Sequence, residues 1–216
     1  MSLYDLLQPG GSRGDQVQGV SVGIVTNIQD PENMGRVKVK FPWRGSDDES
    51  YWARIATLMA GKERGSFFLP EVGDEVLVAF EMGDLQHPYV LGSLWNGEDK
   101  PPDTHGDGKN NIRKIKSRSG HELIFDDESG KEKVTLHTKA GHKIVLDDAS
   151  GSEKIEITDK SGSNKVVFDS AKNEIAMESA MQLKLKSQTV EIEAGSMMTI
   201  KAGATLTLQG ALVKIN

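Results

Sequence analysis

The chain has 216 residues, with 26 Lys and Arg, 32 Asp and Glu and no cysteine, for a formal net charge of −6. That length allows one or two domains, and the lack of cysteine excludes disulfides, thiolate nucleophiles and Cys-based metal sites. Met1-Ser2-Leu3-Tyr4-Asp5-Leu6-Leu7 lacks the basic start and apolar stretch of a signal peptide, and no apolar run is long enough to cross a bilayer, so synthesis in the cytoplasm is expected. Charge and aromatics divide unevenly along the chain. Residues 1–111 carry 10 Lys and Arg against 17 Asp and Glu, net −7, and hold ten of the twelve aromatic residues. Residues 112–216 carry 16 against 15, net +1. An acidic globular part therefore precedes a charge-interleaved fibrous part.

In chain order, residues 1–16 form a short N-terminal segment and residues 17–96 the first domain. Strands are expected near 19–28, 35–41, 51–59, 66–69, 74–81 and 88–95, between turn clusters at Asp30-Pro31-Glu32-Asn33, Gly45-Ser46-Asp47-Asp48 and Glu71-Val72-Gly73-Asp74. Five to six short strands over this span fit an OB-type Greek-key barrel. Residues 97–111, rich in Gly, Pro, Asp and Lys, read as a linker.

From residue 112 the chain repeats itself. Ser119-Gly120-His121-Glu122-Leu123-Ile124-Phe125-Asp126-Asp127 aligns with Ala140-Gly141-His142-Lys143-Ile144-Val145-Leu146-Asp147-Asp148 and with Ser161-Gly162-Ser163-Asn164-Lys165-Val166-Val167-Phe168-Asp169, so Gly120, Gly141 and Gly162 are 21 residues apart. Each unit passes a second turn, near Gly130, Gly151 and Asn173, into a second alternating strand at Val134/Leu136, Ile155/Ile157 and Ile175/Met177. The apolar pairs then recur every seven or eight residues, as Leu183/Leu185, Val190/Ile192, Met198/Ile200, Leu206/Leu208 and Val213/Ile215. A fixed period with turn residues at fixed phase predicts a β-solenoid or β-helix.

Two inward apolar residues per eight cannot enclose a core within one chain. If three chains wind together, each supplies one face of a prism, the apolar pairs meet at its axis, and neighbouring chains satisfy the backbone. The expected fold is therefore all-β: an N-terminal OB-fold barrel at 17–96 followed by a C-terminal intertwined trimeric β-helix at 112–216. The expected trimer axis is lined by Leu183, Leu185, Val190, Ile192, Met198, Ile200, Leu206, Leu208, Val213 and Ile215.

The barrel segments also resemble a known family. Gly23-Ile24-Val25-Thr26-Asn27, the run from Asp30 to Trp43 containing Asp30-Pro31-Glu32-Asn33-Met34-Gly35-Arg36, and Trp52-Ala53-Arg54-Ile55-Ala56 resemble the OB domain of the spike proteins of contractile injection machines. These are the VgrG proteins of type VI secretion, the gpV-like baseplate spikes of phages, and the spikes of tail-like extracellular particles. Gly65 to Phe80, followed by His87 to Gly97, looks like the second half of the same domain. The resemblance implies a β-rod after the barrel. It also implies a central spike that punctures a target envelope and touches its membrane transiently, within a virion baseplate or a tail-like particle. The long hub-like region of VgrG proteins has no counterpart in sixteen N-terminal residues, which implies a separate hub protein contacting residues 1–20 and the barrel loops. There is no His-x-His motif of an iron-bearing apex. The blunt end Leu212, Val213, Lys214, Ile215 and Asn216 is instead the expected contact for a PAAR-type tip protein.

Sites for chemistry are sparse. His121 and His142 would each form a ring of three imidazoles in a trimer, a geometry able to hold a transition metal, but each follows a turn glycine and reads more simply as a solvent-facing residue. Asp126-Asp127 and Asp147-Asp148 could chelate calcium, or could be solvated turn carboxylates beside Lys131, Lys133 and Lys154. Glu71, Asp74 and Glu75, or Asp47, Asp48 and Glu49, could be paired acids for glycoside hydrolysis, although acidic turns are common in barrels. Arg36, Lys38, Lys40, Phe41, Trp43 and Arg44 place cations beside aromatics as single-strand binders do, yet a net charge of −7 repels phosphate. No enzyme, no cofactor, no bound metal and no nucleic acid is expected. Trp43, Trp52 and Trp95 are expected in the barrel core or between barrels. The competing reading is a polysaccharide-binding or depolymerase β-solenoid fragment.

Overall fold

The computed structural model describes residues 17–44, 48–104 and 106–215. The expectations placed on residues 1–16, on Gly45, Ser46 and Asp47, and on Asn216 lie outside them. The chain divides into two units between Gly106 and Asp107, within the segment expected as a linker. No α-helix occurs among the described residues.

In the first unit, β1 (Val20–Asn27), β2 (Lys38–Lys40), β3 (Arg54–Ile55), β6 (Glu75–Phe80) and β7 (Pro88–Ser93) form one sheet in the order β2-β1-β6-β7-β3. All its pairings are antiparallel except that of β3 with β7. The sheet closes on itself through the bridge between Val37 and Ala53, whose amides donate to each other's carbonyls at 3.0 and 2.8 Å. This ring, with one parallel contact between the third and fifth strands, is a closed Greek-key barrel that leaves no long free edge. Period-two alternation fills it. On β6, Val76, Val78 and Phe80 point inward, and with Val25, Val37, Val39, Phe41, Ala53 and Val90 they form the core. β-branched valines dominate because a narrow barrel needs compact side chains that suit the pleat.

Two strand expectations change. The stretch 66–69 is not a strand, and 51–59 contracts to Arg54–Ile55. Between them lies a small hairpin, β4 (Ala60–Gly61) with β5 (Arg64–Gly65). Gly65 makes this hairpin possible, because a Cβ there would lie 2.5 Å from the Met59 carbonyl oxygen. Of the two places expected for the tryptophans, the core of the single barrel is excluded: Trp43 and Trp95 are exposed and Trp52 is half-buried. Nine mostly small side chains already occupy the interior, which leaves no room for an indole.

The β1–β2 loop is organised by Asp30, a buried acid. Its Oδ1 accepts from the Glu32 amide at 3.1 Å and from Arg36 Nη2 at 2.7 Å. Its Oδ2 accepts from the amides of Met34 and Arg36 at 2.9 and 3.2 Å and from Arg36 Nε at 3.0 Å. Asn33 and Gly35 turn the chain between them with φ of 53° and 69°. The two-pronged Arg36 contact and the converging amides satisfy both oxygens, the condition under which a buried carboxylate is tolerated.

The second unit is a meander. β8 (Ile112–Lys116), β9 (Glu122–Asp126), β10 (Lys133–His137), β11 (Lys143–Asp147), β12 (Lys154–Thr158), β13 (Lys165–Asp169) and β14 (Glu174–Glu178) lie side by side, each antiparallel to the next. The 21-residue repeat is thus a pair of five-residue strands with a turn at each end. Within one chain it is laid out as neighbouring hairpins rather than wound as closed coils. Ser179 to Ile215 contains no strand among the described residues, although its apolar pairs alternate as strands do. A strand is defined by a ladder partner, and steps of seven or eight residues bring no other part of the chain into register.

The Arg36 guanidinium and the loop amides hold the Asp30 carboxyl far below the usual carboxylate range. A depressed folded pKa stabilises above the unfolded value, about 4, and that stability is lost progressively as pH falls below it. Asp30→Asn is expected to lower the unfolding temperature of the barrel by several degrees at pH 7. It is also expected to flatten the acid side of the stability curve between about pH 5 and pH 2. Tryptophan fluorescence follows this directly, since Trp52 lies 6.0 Å from the Arg36 guanidinium; equal acid sensitivity in both proteins would remove Asp30 as the cause.

Candidate functional site: the apolar face of the C-terminal region

Cross-strand partners in an antiparallel ladder share a face, so the register defines what each face carries. One row runs Ile115, Leu123, Leu136, Ile144, Ile157, Val166, Met177 across all seven strands. A second runs Arg113, Phe125, Val134, Leu146, Ile155, Phe168, Ile175. Apart from Arg113 at the outermost strand, every position in both rows is apolar. Among the described residues none of them is fully buried: Leu136 is 49% exposed and Ile175 64%. Phe125 and Phe168, which match in the repeat, sit in the second row and are exposed in the single chain.

The opposite face carries most of the charges of the sheet, although its middle row also holds Ile124, Val145, Val167 and Ala176, and those charges favour the register. Asp126, Lys133, Asp147, Lys154 and Asp169 follow one another across the strands, so each acid faces a lysine and a slip of one strand would pair like charges or flip a face. Glu122 accepts from Lys116 Nζ at 2.8 Å, which is the main reason its carboxyl lies below its ordinary range.

The turns repeat as faithfully as the strands. Gly120, Gly141 and Gly162 take φ of 92°, 100° and 74°, where a side chain would strain the backbone. Before two of them, Ser117 Oγ and Thr138 Oγ1 accept from the amides of His121 and His142 at 3.0 and 3.2 Å. In the third unit Asp159 takes this place: its carboxylate accepts from Asn164 Nδ2 and Ser161 Oγ at 2.8 and 2.7 Å, and its pKa falls to about 2. His121 and His142 also act alike. The Nδ1 of each accepts a backbone amide from the turn of the following unit, Lys139 at 3.3 Å and Lys160 at 3.2 Å. Asn164 Oδ1 extends the series by accepting from the Ala180 amide at 3.1 Å. The matched histidines therefore fasten one turn to the next, a role their position after a turn glycine did not suggest.

Other residues singled out for chemistry serve structure. Asp126 Oδ1 and Asp147 Oδ1 accept the amides of Glu128 and Ala149 at 3.2 and 3.0 Å, and Asp127 pairs with Arg113. Lys133 stands 3.6 Å from Asp126, whereas Lys131 bonds Glu128 and Lys154 bonds Glu156. Among the described residues no group of three or more His, Asp or Glu converges on one point. In the barrel, Asp74 Oδ2 accepts the Glu71 amide at 2.8 Å, and Glu75 Oε2 accepts from Asn96 Nδ2 at 3.3 Å. Glu49 pairs with Lys38 at 3.1 Å, which pulls its carboxyl down. The cationic and aromatic set is not brought together as one groove: Phe41 is buried, Arg36 is held by Asp30 and Glu32, and Lys38 by Glu49 while lying 5.5 Å from the Trp52 ring.

The two apolar rows are followed along the chain by the ladder from Leu183 to Ile215. Leu183, Leu185, Val190, Ile192, Met198, Ile200, Leu206, Leu208, Val213 and Ile215 are all exposed in the single chain, from 47% at Met198 to 87% at Ile215. Leu212 is exposed as well. An apolar surface this extensive on a chain that is otherwise charged and polar marks a protein interface.

Comparison with known proteins agrees at both ends. Residues 21–95 match the type VI secretion system/phage-baseplate injector OB domain, and residues 133–216 match the phage baseplate V C-terminal trimerisation domain. The two matches make this a VgrG- and baseplate V-like spike protein. Its curated relatives include the type VI secretion system spike protein VgrG3 of Vibrio cholerae, 34% identical over 136 residues, covering 57% of this chain and 13% of the relative. The spike protein VgrG5 of Pseudomonas aeruginosa is 35% identical over 117 residues, covering 50% of this chain and 15% of the relative. The actin cross-linking toxin VgrG1 of V. cholerae is 32% identical over 136 residues, or 12% of its length. The chain thus spans less than a sixth of each of these relatives. The ladder and the rows from β10 onward fall within the trimerisation domain, whereas the row positions of β8 and β9 precede it.

Sequence reasoning placed the apolar ladder at 183–215 and missed that the two rows of the sheet extend the same surface back to residue 115. The signal was present in the alternation at Val134/Leu136 and Ile155/Ile157. If the ladder lines an axis shared by three chains, Ile200→Asp places three carboxylates together, at a cost of roughly several kcal/mol each. The variant is expected to lose its resistance to heat and detergent on native and denaturing gels. A heat-resistant trimer from that variant would place Ile200 on the outside.

Proposed function

We propose that three copies of this chain form the central spike of a contractile injection machine, with the OB barrels at the hub end and a β-helical rod beyond them. The observation that carries this reading is the uncovered apolar surface. Two rows across seven strands, and an exposed ladder following them, have no use in a lone soluble chain and a direct one on the inside of a three-stranded prism. The matched trimerisation domain supports the number three.

The work of such a spike is mechanical. A rod whose two continuous apolar rows are inside, and whose outer face sets single apolar residues such as Ile124, Val145 and Val167 among Lys, Glu, Asp and Thr, offers lipid no extended apolar surface, so it crosses an envelope without lodging in it, touching the target membrane only transiently. Stiffness follows from strands paired across the chains. The domain plan that fits is a hub-contacting segment at 1–16, the OB domain at 17–96, a linker at 97–111 and the rod at 112–216. A separate hub protein would take the N-terminal end and barrel loops. A PAAR-type tip protein would seat on Leu212, Val213, Lys214 and Ile215, together with Asn216. Made in the cytoplasm, the chain would act within a baseplate or a tail-like particle. The relatives named as spike proteins favour a structural rather than an enzymatic role, and the net charge of −7 in residues 1–111 disfavours nucleic acid. The depolymerase reading finds no support in the C-terminal region, where both aromatics lie in an apolar row instead of a groove lined with acids.

Light scattering on the intact chain and on residues 112–216 alone tests the assembly. The expected molar mass of the intact protein is three times 23.5 kDa, with the shorter piece likewise at three of its own chains. A monomeric rod would mean that the solenoid closes on itself.

A further inference from the structure

The barrel carries a second uncovered apolar surface, separate from the rows and ladder. Around the β4–β5 hairpin, Leu58 is 96% exposed, Phe67 78% and Phe68 70%, and Met34 and Met59 are also exposed. They border an open groove of about 1090 Å³ whose far wall is Leu91, Gly92 and Ser93 of β7. None of these large side chains is needed by the barrel core, which is complete without them. The hairpin is also no floppy excursion: Gly65 is fitted against the Met59 carbonyl, Thr57 Oγ1 donates to the Ser66 carbonyl at 2.6 Å, and the Ser66 amide donates to the Met59 carbonyl at 2.9 Å. A braced arm presenting four apolar side chains to water, beside Met34 of the β1–β2 loop, is arranged for a partner.

A second surface matches it. The outward-pointing residues of β1 and β6 include Val20, Val22 and Ile24 beside Ala79 and Leu77, an apolar stripe that ends at Glu75 in the strand layer next to β7. Val20 and Val22 are exposed. Rings of three are built from head-to-tail contacts, in which one patch of each copy meets a different patch of the next. The barrel has two such patches, and both are apolar.

We propose that the β4–β5 arm of one barrel packs onto the β1–β6 outer face of a second copy, closing three barrels into a ring. This rests on the trimeric reading above, which supplies the occupant. Leu91–Ser93 is the last stretch of barrel before the chain enters the segment leading to the trimerisation domain, so joined rods hold three such walls within a short tether. Tethering of that kind gives an effective concentration on the order of millimolar. At that concentration a modest apolar contact between copies is occupied before any dilute foreign protein can compete.

The chain has no cysteine, which makes the test direct. Single variants Leu58→Cys, Val22→Cys and Met82→Cys are made in the full chain, their mass is checked by light scattering, and native maleimide labelling is timed. Met82 is 95% exposed in the turn after β6, belongs to neither patch, and serves as the open reference. Leu58 makes so little contact within its own chain that its replacement leaves the barrel intact. In the trimer, both Leu58→Cys and Val22→Cys are expected to label at least about tenfold more slowly than Met82→Cys. The double variant Leu58→Cys/Val22→Cys is expected to form links between chains on mild oxidation. Labelling of Leu58→Cys at the reference rate in a proven trimer would overturn the proposal and leave the arm to a hub protein. A chain that is not trimeric would overturn the reading beneath it, and light scattering separates that outcome from the other.

Discussion

One constraint governs the C-terminal half: a surface made apolar along its whole length, with no part of its own chain to cover it. Hydrophobic burial stabilises only where two surfaces meet. A single sheet with one apolar face, followed by a segment with alternating apolar side chains and no ladder, is therefore half of a structure. Residues 112–178 reach secondary structure alone because each strand finds its partner in the next hairpin. Ser179 to Ile215 does not, because its short steps leave no neighbour within the chain. For that last segment, backbone pairing and side-chain burial both await the same event, the arrival of other copies.

The two units solve the edge problem in opposite ways. The barrel closes its sheet through the Val37–Ala53 bridge and buries a complete small core. Its most demanding feature is local, the carboxylate of Asp30 drawing three amides and one guanidinium into a loop that would otherwise have no reason to fold tightly. The C-terminal sheet keeps its edges and its apolar face open. Stability in the first is intramolecular, and in the second it is largely deferred to assembly.

Much of this was legible in the sequence because period two is a strong signal. The 21-residue spacing of glycines, the strand pairs and the apolar ladder all follow from alternation, and the strands of the 21-residue repeat, from β9 to β14, fall where alternation placed them. Three things were not legible. The β4–β5 hairpin has no alternation, since it is only two residues per strand and depends on Gly65 lacking a Cβ. Nor could the sequence choose between the core and the outside of the barrel for the tryptophans, because aromatic content suggests a core, whereas the available volume decides who enters it. The acceptor role of His121 and His142 spans eighteen residues and emerges only when one hairpin lies beside the next.

The repeated turn has a further consequence for length. Each 21-residue unit contains two strands, its own positive-φ glycine, its own turn acceptor and a side chain that fastens to the unit after it. Strands in a sheet lie about 4.8 Å apart, so gaining or losing one whole unit changes the sheet by roughly 10 Å while every row stays in phase. A single inserted residue instead turns a strand's apolar side outward. The gene for such a protein can lengthen or shorten the sheet only in quanta, and internal duplication is the simplest route between one size and the next.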